Sequence, residues 1–190
     1  EPDEPSEPEY DAKCDALLPV IRGELPAHFH AHRADDIFTA IRIAREFGLR
    51  FSIVHCTDGA AIADILAAEG VTAFSGPTLS DRSKPELRSL SFETPGILDR
   101  AGVLIGITTD HPVIPLQYLP LCAALAVRAG MDKKAALRAI TINPAKILGI
   151  DSRVGSLEIG KDADFAVWLG DPLNVMSRPA AVWINGKKEA

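Results

Sequence analysis

Short β-prone runs and longer amphipathic stretches take turns along most of this chain. Residues 27–30 alternate histidine with small or apolar side chains, which is the period of a strand. Residues 35–47 then place Ile37, Ala40, Ile41, Ala44 and Phe47 on one helical face, with Gly48 as the stop. The unit recurs with a strand at 51–55 and a helix turning Ile62, Ile65 and Leu66 inward, ended by Gly70. A third strand at 71–75 is followed by a polar segment over 76–93 and a short helix over 94–100. A fourth strand, 103–108, runs into Thr109, Asp110, His111 and Pro112.

Strands that alternate with helices predict parallel pairing through right-handed crossovers. A closed (β/α)8 barrel takes roughly 250 residues. Only four units are present here, so the expectation is an α/β fold that is either half a barrel or a doubly wound sheet. After Pro112 the pattern turns helical, over 118–129, over 132–140 with Asp132 as cap, and again from Asn143 as N-cap with Pro144 behind it. Residues 155–157, 163–168 and 181–184 read as short strands separated by turns at 160–162 and at Asn185 and Gly186. The resulting division is an acidic, disordered linker over 1–16, an α/β body over 17–150 and β-strands over 151–190. Leu17, Leu18, Val20 and Ile21 form an apolar patch expected to pack on that body.

Composition narrows the partners. The chain has 190 residues, 47% of them hydrophobic, and a net charge of -6. That is enough for a substantial core, and the mild acidity argues against nucleic acid or an anionic membrane. No apolar run reaches the length of a membrane span. Residues 1–15 carry seven acidic residues and three prolines, the signature of a solvated segment. Three cysteines without CxxC spacing argue against a disulfide framework and for a reducing cytoplasm. Glu1 in place of methionine suggests part of something longer.

Chemistry enters at the strand ends. His30, His55 and Asp110 each close one predicted parallel strand, and in such folds these ends share a face where sites are built. Two imidazoles and a carboxylate there suit zinc or a similar divalent ion. Each has an ordinary alternative: a spare edge histidine, a satisfied core histidine for His55, a turn cap for Asp110. The alternation puts His28, His30 and His32 on one face. His111 reads equally as a surface group or a ligand, and Cys56 as a small buried hydrophobe. Arg33, Arg82 and Arg88 could hold an anionic substrate group, although solvation is the simpler reading of the last two.

These residues also carry a resemblance. The stretch from His30 to Asp36 (HAHRADD), Ile53 to His55 (IVH), Thr108 to Pro112 (TTDHP), Thr141 to Ala145 (TINPA) and Gly155 to Asp164 (GSLEIGKDAD) resembles the amidohydrolase superfamily, most of all its imidazolonepropionase-like members. The likeness runs from about residue 17 to the C-terminus. It implies the strands five to eight of a metal-dependent (β/α)8 barrel followed by part of a small β-sandwich. It implies His30, His55 and Asp110 as metal residues, with Asp110 and His55 also catalytic. His32, Arg33 and His111 are the substrate-side candidates, and loop residues from Gly76 to Arg88 are an alternative to Arg33. The cofactor implied is one or two divalent ions, zinc first, with iron or manganese as alternatives. The activity implied is hydrolysis of an amide or cyclic amide in a small molecule. The His-x-His pair of the family's first strand has no counterpart here. The alternative expectation is therefore a non-catalytic fragment, or a half-barrel that forms a homo-oligomer or pairs with a separate N-terminal half.

Overall fold

The computed structural model describes residues 9–190, so the first part of the expected acidic linker lies outside the described residues. Its remainder is not a linker throughout. Helix α1 (Ala12–Ile21) opens there because the Asp11 carboxylate accepts the backbone N–H groups of Lys13 and Cys14. This helix buries none of its residues: Leu17 and Ile21 remain exposed, so the apolar patch read from the sequence does not pack on the body.

The body alternates as the pattern predicts. It runs β1 (Ala27–Ala31), α2 (Ala34–Glu46), β2 (Phe51–His55), a 3-10 turn and α3 (Ala63–Ala68), β3 (Thr72–Ser75), α4 (Thr94–Ala101) and β4 (Leu104–Ile107). The four strands form one parallel sheet in the order β1-β2-β3-β4. A doubly wound sheet would reverse direction at a switch point; this one does not. One sheet face, carrying Ala31, Ile53, Ala73, Ile105 and Ile107, is sealed by helices into the core with Ile37, Leu66 and Leu98. The other carries His28, His30, Ser52, Val54, Thr72 and Phe74, and His28 and His30 are exposed on it.

Two side chains assigned to the core by spacing lie outside it. Phe47 sits just past the end of α2, and Ile65 is turned outward because α3 starts only at Ala63, after a 3-10 turn that shifts the helical phase. Leu66 is buried, as the spacing predicts.

Three more helices follow: α5 (Leu119–Arg128), α6 (Lys133–Ala139) and α7 (Ile142–Leu148). Asp132 caps α6 as expected, accepting from the Ala135 N–H at 2.9 Å. Asn143 does not cap α7. It lies inside the first turn, and its amide donates to the Ile105 carbonyl of edge strand β4 at 3.0 Å. Pro144 presses on Gly106 beside Phe74, where a Cβ at Gly106 would have no room. The C-terminal sheet is antiparallel, β5 (Phe165–Leu169), β6 (Arg178–Ile184) and β7 (Lys187–Lys188). Asn185 and Gly186, both left-handed, make the tight turn between the last two. Residues 155–157 are not a strand: they pass over α7, with Gly155 close against Ile142 and Ala145.

The Asn143 bond yields a test. Asn143→Leu leaves a buried strand carbonyl unpaired and should cost about 1–3 kcal/mol of stability, read as a lower midpoint in urea. An unchanged midpoint would show that the edge of β4 needs no such partner.

Candidate metal and active site

The candidate residues lie near the C-terminal ends of three strands: His30 within β1, His55 closing β2 and Asp110 in the loop beyond β4. Alternation along β1 points His28 and His30 to the same face, and His32 follows one residue beyond the strand. The loop after β2 clamps that end. Cys56 N–H donates to the Ala31 carbonyl at 3.0 Å and Asp58 N–H to the His32 carbonyl at 2.8 Å. The Asp58 carboxylate also accepts the Ala34 N–H at 3.1 Å, capping α2 from outside because Arg33, at the N-cap position, makes no capping bond.

The result is a knot of three imidazoles. Ring centroids of His30 lie 4.9 Å from His32 and 4.2 Å from His55, and His32 stacks on His55 at 4.5 Å. One donor atom from each of the three lies within 4.8 Å of the others. His32 and His55 are buried, while His30 is exposed. His55 donates Nδ1–H to the Gly76 carbonyl at 2.7 Å, which leaves Nε2 free as a lone-pair donor. His32 Nδ1 lies 2.7 Å from Thr57 Oγ1.

The two buried rings, His32 and His55, are held neutral. Burial, and after it the neighbouring His55 and His30, push the His32 imidazole down to about 4. Burial lowers His55 as well, against the opposing pull of the Gly76 carbonyl. Neutral imidazole is the form that binds a metal. Cys56, by contrast, is a buried thiol pushed up to about 12 by burial, inert at neutral pH.

Asp110 lines the same cavity of about 180 Å³, together with Ser80, Ser83 and Lys84 from the segment after β3. Its backbone, like that of His55 and Cys56, is left-handed, with φ of 51°, 76° and 49° respectively. Such non-glycine residues cost on the order of 1 kcal/mol or more each and persist where surrounding contacts enforce them. Strain is thus concentrated at the ends of β2 and β4.

Not every sequence candidate is there. Arg33 forms a two-pronged ion pair with Asp35 on the solvent side of α2 and does not line the cavity. His111 is exposed and is also absent from the lining. Arg82 is spent on the Leu90 carbonyl at 2.7 Å. Conversely, the pattern marked the loop 76–88 only as a whole, and did not single out Gly76 or Lys84 within it or Thr57 before it. Gly76 has φ 134° and is pressed so tightly on the Thr108 carbonyl that only glycine fits; its position beyond a strand and before a proline was the one available signal.

With this geometry the comparisons with known proteins fall into place. A model of the amidohydrolase family matches residues 22–188. The chain belongs to the amidohydrolase family. A solved amidohydrolase from Thermotoga maritima is 45% identical and superposes with a TM-score of 0.92, covering 97% of this chain and 48% of that one. The imidazolonepropionase of Sphingopyxis alaskensis is 27% identical over 90% of this chain and 51% of its own length. A zinc-bound adenosine deaminase from Xanthomonas campestris is 27% identical with a TM-score of 0.64, matching 91% of this chain and 47% of its own. The chain therefore spans about half the length of these family members. Among the described residues no helix is long and apolar enough to cross a membrane.

The depressed His32 has a measurable consequence. The unfolded chain binds its proton near the ordinary value of 6.5 and the folded chain only near 4. Falling pH therefore favours unfolding across that window. With chelator present, about 2–3 kcal/mol of stability should disappear between those limits. His32→Gln should lose this share of the slope in urea titrations at stepped pH. Equal slopes in the two proteins would contradict the assignment.

Proposed function

We propose that this chain supplies the C-terminal half of the active site of a metal-dependent hydrolase of C–N bonds, acting on an amide or cyclic amide in a small molecule. The observation that carries the reading is the convergence of His30, His55 and Asp110 on one cavity at the strand ends. The unreversed strand order supports taking the sheet as strands five to eight of a (β/α)8 barrel, with residues 151–190 as part of a β-sandwich.

The donor set fits a divalent ion: clustered imidazoles with a carboxylate lining the same cavity favour zinc, in keeping with the zinc-bound relative. His30 and His55 would hold it, with Asp110 at its side. When bound, the ion supplies a Lewis acid that acidifies water and polarises a carbonyl. The Gly76 carbonyl fixes the tautomer of His55, so that its free nitrogen stays on the cavity side. Asp110 accepts the proton of the attacking water and returns it to the departing nitrogen, first as base and then as acid. Ser80, Ser83 and Lys84 line the cavity and would orient substrate, the role that sequence reading offered to loop residues of 76–88 as the alternative to Arg33.

A second reading is favoured by the exposure of His28 and His30 on the polar sheet face and by the position of β1 as an edge strand. In that reading the chain is a non-catalytic half that pairs with itself or with a separate N-terminal half. Assay of the zinc-loaded chain against a panel of amides and cyclic amides separates the two. Turnover that falls at least about 100-fold in Asp110→Asn supports the hydrolase. Absence of turnover from the unaltered chain, with a solution mass of two copies, supports the pairing half.

A further inference from the structure

We propose that Lys84 sets the specificity of this cavity: its ammonium receives a carboxylate that the substrate carries away from the bond to be cut. The inference rests on the hydrolase reading above and deepens it. Among small amides and cyclic amides, the chain takes those that bear one negative charge.

The charges around the cavity carry this. Among the described residues that line it, Lys84 is the only lysine or arginine. Two arginines nearby in sequence are committed elsewhere, Arg33 to the Asp35 carboxylate and Arg82 to the Leu90 carbonyl. Lys84 is held far more loosely. Its ion-pair partner, Glu86, stands 3.7 Å away, beyond hydrogen-bond reach, and both side chains are open to solvent. A pair of that kind contributes little, so the ammonium can turn to a better-placed acceptor.

Its place supports the same use. The Lys84 charge reaches both buried rings and lowers the basicity of His32 and of His55. Glu86, which opposes it at His32, does not line the cavity. Asp81 does line it, but is not among the main charges acting on either ring. The positive charge therefore stands toward the end where the bond is cut.

Size and charge balance narrow the ligand. A cavity of about 180 Å³ holds roughly six waters at about 30 Å³ each, which suits a small molecule and not a polymer. One ammonium balances one carboxylate. A phosphate, near two negative charges, would be left in excess beside Asp81 and Asp110.

The test is binding to the metal-free chain, where a carboxylate has no ion to reach instead. Matched probes are N-acetylglycine against N-acetylglycinamide and 5-oxoproline against 5-oxoprolinamide, read by the shifts of the histidine ring resonances. The carboxylate of each pair should bind about tenfold more tightly than its neutral partner. Lys84→Met, at an exposed position that should leave the melting temperature unchanged, brings the two within twofold. Lys84→Arg restores the preference. Equal affinities within the pairs overturn the inference, as does a preference that survives Lys84→Met or a failure of both carboxylates to shift the rings. Adding zinc and measuring hydrolysis separates the two readings. Neutral amides cut as fast as their carboxylate partners overturn the role of Lys84 and leave the hydrolase standing. A carboxylate preference in binding, with no pair hydrolysed, removes the hydrolase and leaves Lys84 as a carboxylate site.

Discussion

One hydrogen bond ties the site together: His55 Nδ1–H to the carbonyl of Gly76. It joins the end of β2 to the end of β3, and Gly76 in turn lies hard against the Thr108 carbonyl just beyond β4. Three strand ends are thereby held in one register. The bond also decides which nitrogen of His55 faces the cavity, so a backbone carbonyl one strand away sets the chemistry of a side chain. The loop from Cys56 to Asp58 extends the same fastening to β1 through the Ala31 and His32 carbonyls.

The polarity of the sheet's two faces was legible in the sequence because strand alternation and parallel pairing are local rules. Four strands and the helices between them followed from spacing, and His30 and His55 came with them. Residues that act across the fold were harder to read. Asp58 caps a helix that begins 24 positions earlier, and Gly76 serves a histidine 21 positions away; neither leaves a mark in periodicity. Arg33 stood beside the histidines in sequence, but the turn into α2 carries it to Asp35 and solvent. Residues 155–157 had a strand's composition without a neighbour to pair with, and α7 claimed them instead. Asn143 looked like a cap because that is the commoner use of Asn before Pro; the unpaired carbonyl of an edge strand was the stronger demand.

The two sheet faces do different work. The helix-covered face is aliphatic, with Ile53, Ala73 and Ile105 fully buried, and it supplies the cohesion of the body. The opposite face mixes histidine, serine and threonine with Val54 and Phe74. Left-handed backbone at His55, Cys56 and Asp110 adds further cost at the strand ends. Sequences keep such features where geometry matters more than stability.

The same division explains why the imidazoles stay close together. His30 packs edge to face on the other two rings, which stack on each other with Thr57 and Gly76 each occupying one nitrogen. In neutral form that buried pair avoids the repulsion that protonation would bring. Burial that lowers the basicity of His32 and His55 keeps those two stacked rings from charging against each other. A cluster built only for stability would be better served by apolar side chains of the same volume, which carry no desolvation cost. The placement of three histidines at this one point is therefore best understood as arrangement for a ligand, with the aliphatic face behind it bearing the expense.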